Sequence, residues 1–219
     1  MTARRPKAAW MPMQKLFCRF CKDLLIAPTM LYTGVRHFNV PDLRKRDGGL
    51  LIASNHQSFL DPILVGLPLG QPIHYLARRS LFGVPGFGQL LVALNTHPVS
   101  IGEVDADALK TTIRLLRGGE ALLMFPEGTR TRDGELGEFK PGVAAIAIRC
   151  GVPILPACVE GAYECWPRTQ MLPHPSWVAV AYGELLRPRG ESAEELTVEL
   201  RRRVAELRAF LRGYLGRSP

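Results

Sequence analysis

The sequence lacks a long, unbroken apolar segment. Its longest uncharged stretch, residues 80–102, is interrupted by two prolines and four glycines. A helix that crosses a membrane needs about 20 mainly apolar residues and tolerates few such breaks. We therefore predict that residues 80–102 form buried loop, helix and strand, and not a membrane span.

Cysteine is also sparse, and its five residues follow no regular spacing. Cys18 and Cys21 form a C-x-x-C pair, but no second pair completes a zinc site. We predict reduced, buried thiols and, from them, a reducing cytoplasmic setting. Lys15, Arg19 and Lys22 interrupt any signal-peptide core, so we expect no secretory leader.

Positive charge is present in excess, and it is concentrated at one end. The net charge is +8. Residues 1–46 contain ten Lys or Arg and two acidic residues, whereas the remaining 173 residues contain 18 of each kind. A localised basic segment indicates an anionic partner, either a membrane surface or nucleic acid.

Residues 10–31 favour the membrane over nucleic acid. Apolar residues recur there at helical spacing between charged ones: Leu16, Phe17, Phe20, Leu24 and Leu25. This pattern is typical of a helix that lies in the membrane interface, and a helix packed on the protein core is the alternative. We assign residues 1–37 to a basic amphipathic membrane-associating segment and residues 38–219 to the main domain.

The rest of the chain alternates short apolar runs with helical patterns, which predicts an α/β fold with a mixed, largely parallel central sheet flanked by helices. The predicted strands are 50–53, 73–77, 96–101, 121–125, 152–159 and 177–182. The predicted helices begin near Ser58, Phe87, Asp105 or Asp107, Pro141 and Ser192, the last with a capping box. Residues 163–176, rich in proline and aromatic residues, predict a surface loop or lid.

The first polar turn after a predicted strand carries His56 and Asp61. Histidine can take a proton near neutral pH, and a carboxylate can fix its tautomer and stabilise the imidazolium that forms. On one continuous helix the two side chains would diverge by about 140°. The two side chains can therefore meet only if His56 lies in the turn and Asp61 in the first turn of the helix, with Ser58 as N-cap. In the alternative interpretation, His56 is an ordinary turn residue and Asp61 only caps the helix that Ser58 begins.

A second polar turn, residues 125–130, follows the apolar strand 121–125 and reads FPEGTR. It offers the carboxylate of Glu127, the flexible Gly128, and the guanidinium of Arg130, which is suited to bidentate phosphate binding. Lys140 follows just before a predicted helix N-terminus, a favourable place for an anion. A salt-bridged surface loop is the alternative interpretation.

Together these turns resemble the motifs of the glycerolipid acyltransferases, in particular the 1-acylglycerol-3-phosphate acyltransferase branch. NHQSFLD at 55–61 resembles the H-x4-D block of this family, FPEGTR at 125–130 its F-P-E-G-T-R block, and VPILPA at 152–157 its final V-P-[IV]-x-P-[VA] block. The resemblance covers about residues 48–188, so that residues 38–219 are expected to be an acyltransferase domain.

The resemblance implies the roles of the site residues. His56 would be the general base and Asp61 its orienting partner. Acceptor binding is implied for the second turn and three further positions: Glu127, Gly128, Thr129, Arg130, Lys140, Arg78 and Arg79. The donor would be acyl-CoA or acyl-carrier protein, the acceptor a lysophospholipid in the membrane, and the product phosphatidic acid for phospholipid biosynthesis. No cofactor, metal or nucleic acid is implied, and the expected location is the cytoplasmic membrane face, peripheral or monotopic.

One position departs from the family pattern. Ser100 or Ile101 stands where the family usually has an arginine that contacts phosphate. We expect Arg78, Arg79 or Lys140 to compensate, or the acceptor to be another lysolipid or an amino-acid lipid. A non-catalytic lipid-binding module of the same fold is the alternative from a different class.

Overall fold

The computed structural model describes residues 33–43, 46–100 and 105–217. The predicted helix within 10–31, the Cys18–Cys21 pair and Ile101 lie outside these residues.

A seven-stranded sheet forms the centre of the described chain, in the order β1-β7-β6-β2-β5-β3-β4. The strands are β1 (Arg36–Phe38), β2 (Leu50–Ser54), β3 (Ile73–Arg78), β4 (Thr96–Val99), β5 (Ala121–Met124), β6 (Ile154–Glu160) and β7 (Ala179–Tyr182). Neighbouring strands are parallel, except that β6 and β7 are antiparallel. The prediction of a mixed, largely parallel sheet is confirmed.

Six α-helices accompany the sheet within the described residues: α1 (Asp61–Gly66), α2 (Phe87–Ala93), α3 (Ala106–Arg117), α4 (Gly142–Cys150), α5 (Ala162–Cys165) and α6 (Ala193–Tyr214). Asp105 caps α3 by accepting hydrogen bonds from two backbone N–H groups, and Ser192 begins α6 with the predicted capping box. None of the helices in the described part of the chain is both long and apolar enough to cross a membrane.

Both faces of the central strands are buried, which explains their continuous apolar runs. In β2, Leu50 and Ile52 join the hydrophobic cluster on one face of the sheet, while Leu51 and Ala53 join the cluster on the other. This alternation follows from the two-residue period of a strand. The sheet thereby holds β2 rigidly, and the turn after it is fixed in space.

The structure adds one strand and corrects one prediction. Arg36–Phe38 forms an edge strand parallel to β7, so the sheet begins inside the segment that we assigned to residues 1–37. The prediction that residues 80–102 are buried is wrong for most of the stretch, because only Gly88, Asn95 and Thr96 are buried among residues 80–100. Cys158 and Cys165 are buried free thiols, and Cys150 is a partly buried one.

Candidate active site

The two polar turns meet because β2 and β5 are adjacent parallel strands. Ala53 pairs with Met124 at the carboxyl ends of these strands, so the chain leaves both at the same edge of the sheet. Beyond that edge the backbone N–H of Thr131 donates to the carbonyl of His56 at 2.8 Å. The sequence motifs at 55–61 and 125–130 therefore form one site.

His56 and Asp61 form the expected pair. His56 lies in the turn and α1 begins at Asp61, and the distance from Nδ1 to Oδ2 is 2.7 Å. The same Oδ2 accepts hydrogen bonds from the backbone N–H groups of Gln57 (2.6 Å) and Ser58 (2.7 Å). An ionised carboxylate can only accept hydrogen bonds, so Nδ1 must carry the proton that it shares with Oδ2. Asp61 thereby holds the imidazole in the tautomer that is protonated at Nδ1. The lone pair of Nε2 is then free to accept a proton.

Asp61 is fully buried, whereas His56 remains partly accessible to a substrate. Asp61 has no exposed side-chain surface, whereas 18% of the His56 side chain is exposed. The imidazole ring stacks on Phe125 at 3.9 Å between centroids, with 12° between the planes. The ring is therefore fixed on one face and open to a substrate at its edge.

Glu127 lies beneath this turn. Its Oε1 accepts the backbone N–H of His56 at 2.9 Å, and a hydrogen bond also links it to the backbone of Gly137. A Cβ on Gly137 would lie 2.8 Å from Oε2, so glycine permits this approach. Burial raises the pKa of Glu127, and the bond from His56 opposes that rise. The contacts of this carboxylate thus position the turn that carries His56.

Two amide side chains fix the same turn from the other side. Asn55 donates to the carbonyl of Val159 and accepts its N–H, both at 2.8 Å, which joins the end of β2 to β6. Gln57 accepts the N–H of Ala162 at 3.1 Å and donates to the carbonyl of Gly134 at 3.1 Å. All polar atoms of both side chains are used in holding backbone, so the turn is preorganised.

Cationic groups gather beside the pair. The guanidinium of Arg130 lies 3.4 Å from the ring centroid of Phe59, and its Nη1 is buried without a hydrogen-bond partner among the described residues. Burial lowers the pKa of Arg130, and the charges of Arg168 and Arg78 lower it further, while Asp61 opposes the shift. Because Arg130 is repelled by two other guanidinium groups and has one donor that no described residue uses, a bound anion would stabilise this site.

The remaining predicted residues border this cation cluster (Arg78, Arg130 and Arg168). Gly128 has a φ of 72°, and a Cβ there would lie 3.4 Å from Nζ of Lys140, so glycine brings this ammonium close to the turn. Thr129 is exposed on the turn. A cleft of about 290 Å³ is lined by Arg78, Arg79, Ser80, Val99 and Ser100.

Sequence reasoning missed Arg168 and left His97 aside. Arg168 follows α5 in a segment whose composition predicted only a loop, and no motif marks it. His97 lies outside the site, 2.9 Å from the ring of His74 between Nε2 and Nδ1. Ser100, one of the two positions at which the family pattern has arginine, lines the cleft. Arg168 adds a cationic charge near Arg130 from a different element. In the described residues no cluster of three or more His, Cys, Asp or Glu could hold a metal ion.

A buried carboxylate–histidine pair next to a cation cluster, at the carboxyl edge of a parallel sheet, defines a site for proton abstraction on an anionic substrate. The chain belongs to the acyltransferase family: the family model described as "Acyltransferase" matches residues 35–160, which include β1 and all of the site turns.

Relatives and solved structures agree with that assignment. The chain is 33% identical to the 1-acyl-sn-glycerol-3-phosphate acyltransferase of Bacillus subtilis, over 65% of this chain and 71% of the relative. It is 32% identical to a chloroplastic 1-acyl-sn-glycerol-3-phosphate acyltransferase of Brassica napus, over 75% of this chain and 48% of the relative. It thus spans about half the length of such plant relatives.

The crystal structure of the 1-acyl-sn-glycerophosphate (LPA) acyltransferase PlsC from Thermotoga maritima is similar in fold. The TM-score is 0.73 at 28% identity, and the alignment covers 88% of this chain and 79% of that one. The resemblance to the 1-acylglycerol-3-phosphate acyltransferase branch, inferred from the motifs, is confirmed.

Proposed function

We propose that the protein transfers a fatty acyl group from acyl-CoA or acyl-carrier protein to the free hydroxyl of 1-acylglycerol-3-phosphate, giving phosphatidic acid. One observation carries the proposal: a His56–Asp61 pair with an open Nε2 lies beside the buried, unpartnered Nη1 of Arg130. A substrate with a hydroxyl close to a phosphate would engage both groups, because Nε2 of His56 can take the hydroxyl proton while Arg130 binds the phosphate.

The reaction follows from these groups. Nε2 of His56 takes the proton of the acceptor hydroxyl as its oxygen attacks the thioester carbonyl. Asp61 stabilises the imidazolium that forms. The carbon–sulfur bond then breaks, and the proton on Nε2 passes to the leaving thiolate sulfur. An ester and a free thiol result, no covalent acyl-enzyme is formed, and His56 returns to its starting state.

The phosphate of the acceptor would occupy the cation cluster. Arg130 offers an N–H donor that no described residue uses, and Arg78 and Arg168 add positive charge near it. Each charge-assisted hydrogen bond is worth about 1.5–3 kcal/mol, so several together can hold a phosphate against its loss of water. Lys140 and Arg79 border the same region and extend the positive field.

A His56→Ala variant tests the enzymatic role. We expect acyl transfer to fall by roughly 10²–10⁴-fold, the range over which general base catalysis contributes. His97→Ala is the matched control, because His97 is a partly buried histidine outside the site. Unchanged turnover in His56→Ala would leave a non-catalytic lipid-binding module as the better interpretation.

The acceptor is tested separately. A panel of lysolipids that includes lysophosphatidate, lysophosphatidylglycerol and an amino-acid lipid, offered with each donor, would be read by mass spectrometry. Ser100 in the cleft is the observation that favours the second candidate, acylation of a different lysolipid or amino-acid lipid. Preference for an acceptor without a terminal phosphate would replace lysophosphatidate with that lipid.

We place the reaction at a membrane surface, on its cytoplasmic face, because acceptor and product are both lipids. The basic segment of residues 1–37 supports this location by its charge and its apolar pattern. Removal of residues 1–31, which precede β1, is expected to weaken cosedimentation with anionic vesicles.

A further inference from the structure

An apolar stretch lies unburied at one end of the sheet. Residues 80–94 contain no charged side chain. They form a short 3-10 helix, Arg79–Gly83, and then α2, and in this stretch only Gly88 is buried. A Cβ on Gly88 would lie 2.3 Å from the carbonyl of Phe82, so the two short helices pack tightly on each other. Three of their large apolar side chains, Val84, Phe87 and Val92, are exposed, and the other leucine and phenylalanine side chains are half-buried.

The exposure is substantial. Val84 is 48% exposed, Phe87 43% and Val92 62%. No residue of 80–94 belongs to either of the two hydrophobic clusters that fill the described core or packs against them. Contiguous exposed apolar surface of this kind is uncommon on a protein that faces only water, and it marks an interaction site.

The position of this surface links it to the active site. The segment leaves β3 after Arg78, and β3 lies next to β5, whose carboxyl end carries the Glu127 turn. Arg78 is close enough to Arg130 for its charge to lower the pKa of Arg130. Arg78 and Arg79 also line the cleft with Ser100. The apolar surface therefore begins where the cation cluster ends.

We propose that residues 80–94 form a docking surface for the face of an anionic lipid bilayer. Charge complementarity supports this occupant: an uncharged apolar surface bordered by Arg78 and Arg79 matches acyl chains bordered by anionic headgroups. The proposal rests on the proposed function in one respect, since a lipid acceptor must pass from the bilayer to His56. A surface beside the site shortens that path.

Matched valine variants test the proposal. Val92 on α2 and Val198 on α6 are 62% and 71% exposed, and α6 packs on β6 and β7, far from β4 in the sheet order. We expect Val92→Asp to weaken binding of the full-length protein to phosphatidylglycerol–phosphatidylcholine vesicles by about tenfold, as loss of one buried valine and gain of a charge imply. Val198→Asp should bind as the unaltered protein does.

A second readout compares two forms of the acceptor. The ratio of acyl transfer to vesicle-embedded lysophosphatidate over transfer to a short-chain, monomeric one should fall in Val92→Asp and stay constant in Val198→Asp. Equal vesicle binding by both variants would overturn the proposal. So would a lowered melting temperature or a changed oligomeric state of Val92→Asp without vesicles, because the surface would then be covered by this chain or by a second copy.

Failure of this proposal and failure of the proposed function give different results. Vesicle binding requires no catalysis, so loss of binding in Val92→Asp supports the docking surface even if no lysolipid is acylated. Conversely, acyl transfer that depends on His56, together with equal binding of both variants, would retain the enzyme and reject the surface.

Discussion

Replacing Asp61 with Asn isolates the charge of the carboxylate from its shape. Oδ2 accepts from His56 and from two backbone N–H groups, whereas Oδ1 is buried and has no hydrogen-bond partner among the residues that the structure describes. The amide oxygen of Asn can therefore take the place of Oδ2, with its NH₂ where Oδ1 was. The geometry is retained, and the negative charge facing the imidazolium is lost.

The expected loss can be worked from that geometry. Two unit charges about 4 Å apart in a medium of effective dielectric constant about 20 interact by about 4 kcal/mol. This attraction develops only when His56 is protonated, so its loss lowers kcat by roughly 10³-fold, at about 1.4 kcal/mol per factor of ten. The buried NH₂ without an acceptor costs about 1–3 kcal/mol of stability.

Steady-state acyl transfer and thermal unfolding would be measured on Asp61→Asn and on Asp107→Asn, whose carboxylate is 87% exposed on α3. The control should keep both activity and melting temperature. A folded Asp61→Asn variant with less than a tenfold fall in kcat would refute the argument that Asp61 stabilises charge on His56.

Three further predictions concern groups outside the two sequence motifs. Arg168→Ala should raise the KM for lysophosphatidate about tenfold with little change in kcat, because one charged contact to phosphate is lost; an unchanged KM in initial-rate measurements would remove Arg168 from the site. Burial lowers the pKa of His97 from its ordinary 6.5, so the neutral ring is favoured in the folded state and stability falls as the pH drops below about 6.5. In His97→Gln the melting temperature should fall less between pH 7 and pH 5, and an identical pH profile would contradict this. Arg208 donates to the buried Glu160 at 3.0 Å, so Arg208→Met should cost about 3 kcal/mol in urea unfolding. Arg202→Met, which removes exposed ion pairs only, should cost less than about 1 kcal/mol.

Local patterns were sufficient for the elements that carry the site. Apolar runs bounded by turns predicted β2 and β5, Ser192 marked the start of α6, and Asp105, one of the two residues predicted to begin α3, is its N-cap. These succeed because a buried strand and a capped helix are specified by neighbours in sequence. Three-residue β1 was missed, since a short edge strand with Arg36 at its start shows no alternation.

Residues 80–94 show where local patterns fail. An uncharged, apolar stretch predicts burial, yet its side chains are only half-buried or exposed, because the two short helices pack on each other and on the edge strand β4. Sequence reports the polarity of a side chain but not whether another element covers it. That depends on the strand order, which places β4 at the end of the sheet.

The sequence by itself determined that His56 and Asp61 share one turn, that a second polar turn follows β5, and that positive charge is concentrated before residue 47. Each of these is a matter of spacing along the chain. Only the tertiary structure decided that β2 and β5 are neighbours, that Glu127 holds the backbone of His56, and that the charge of Arg168 acts on Arg130 from a distant segment. Contacts between residues far apart in sequence depend on how the strands are ordered, and no local pattern encodes that order.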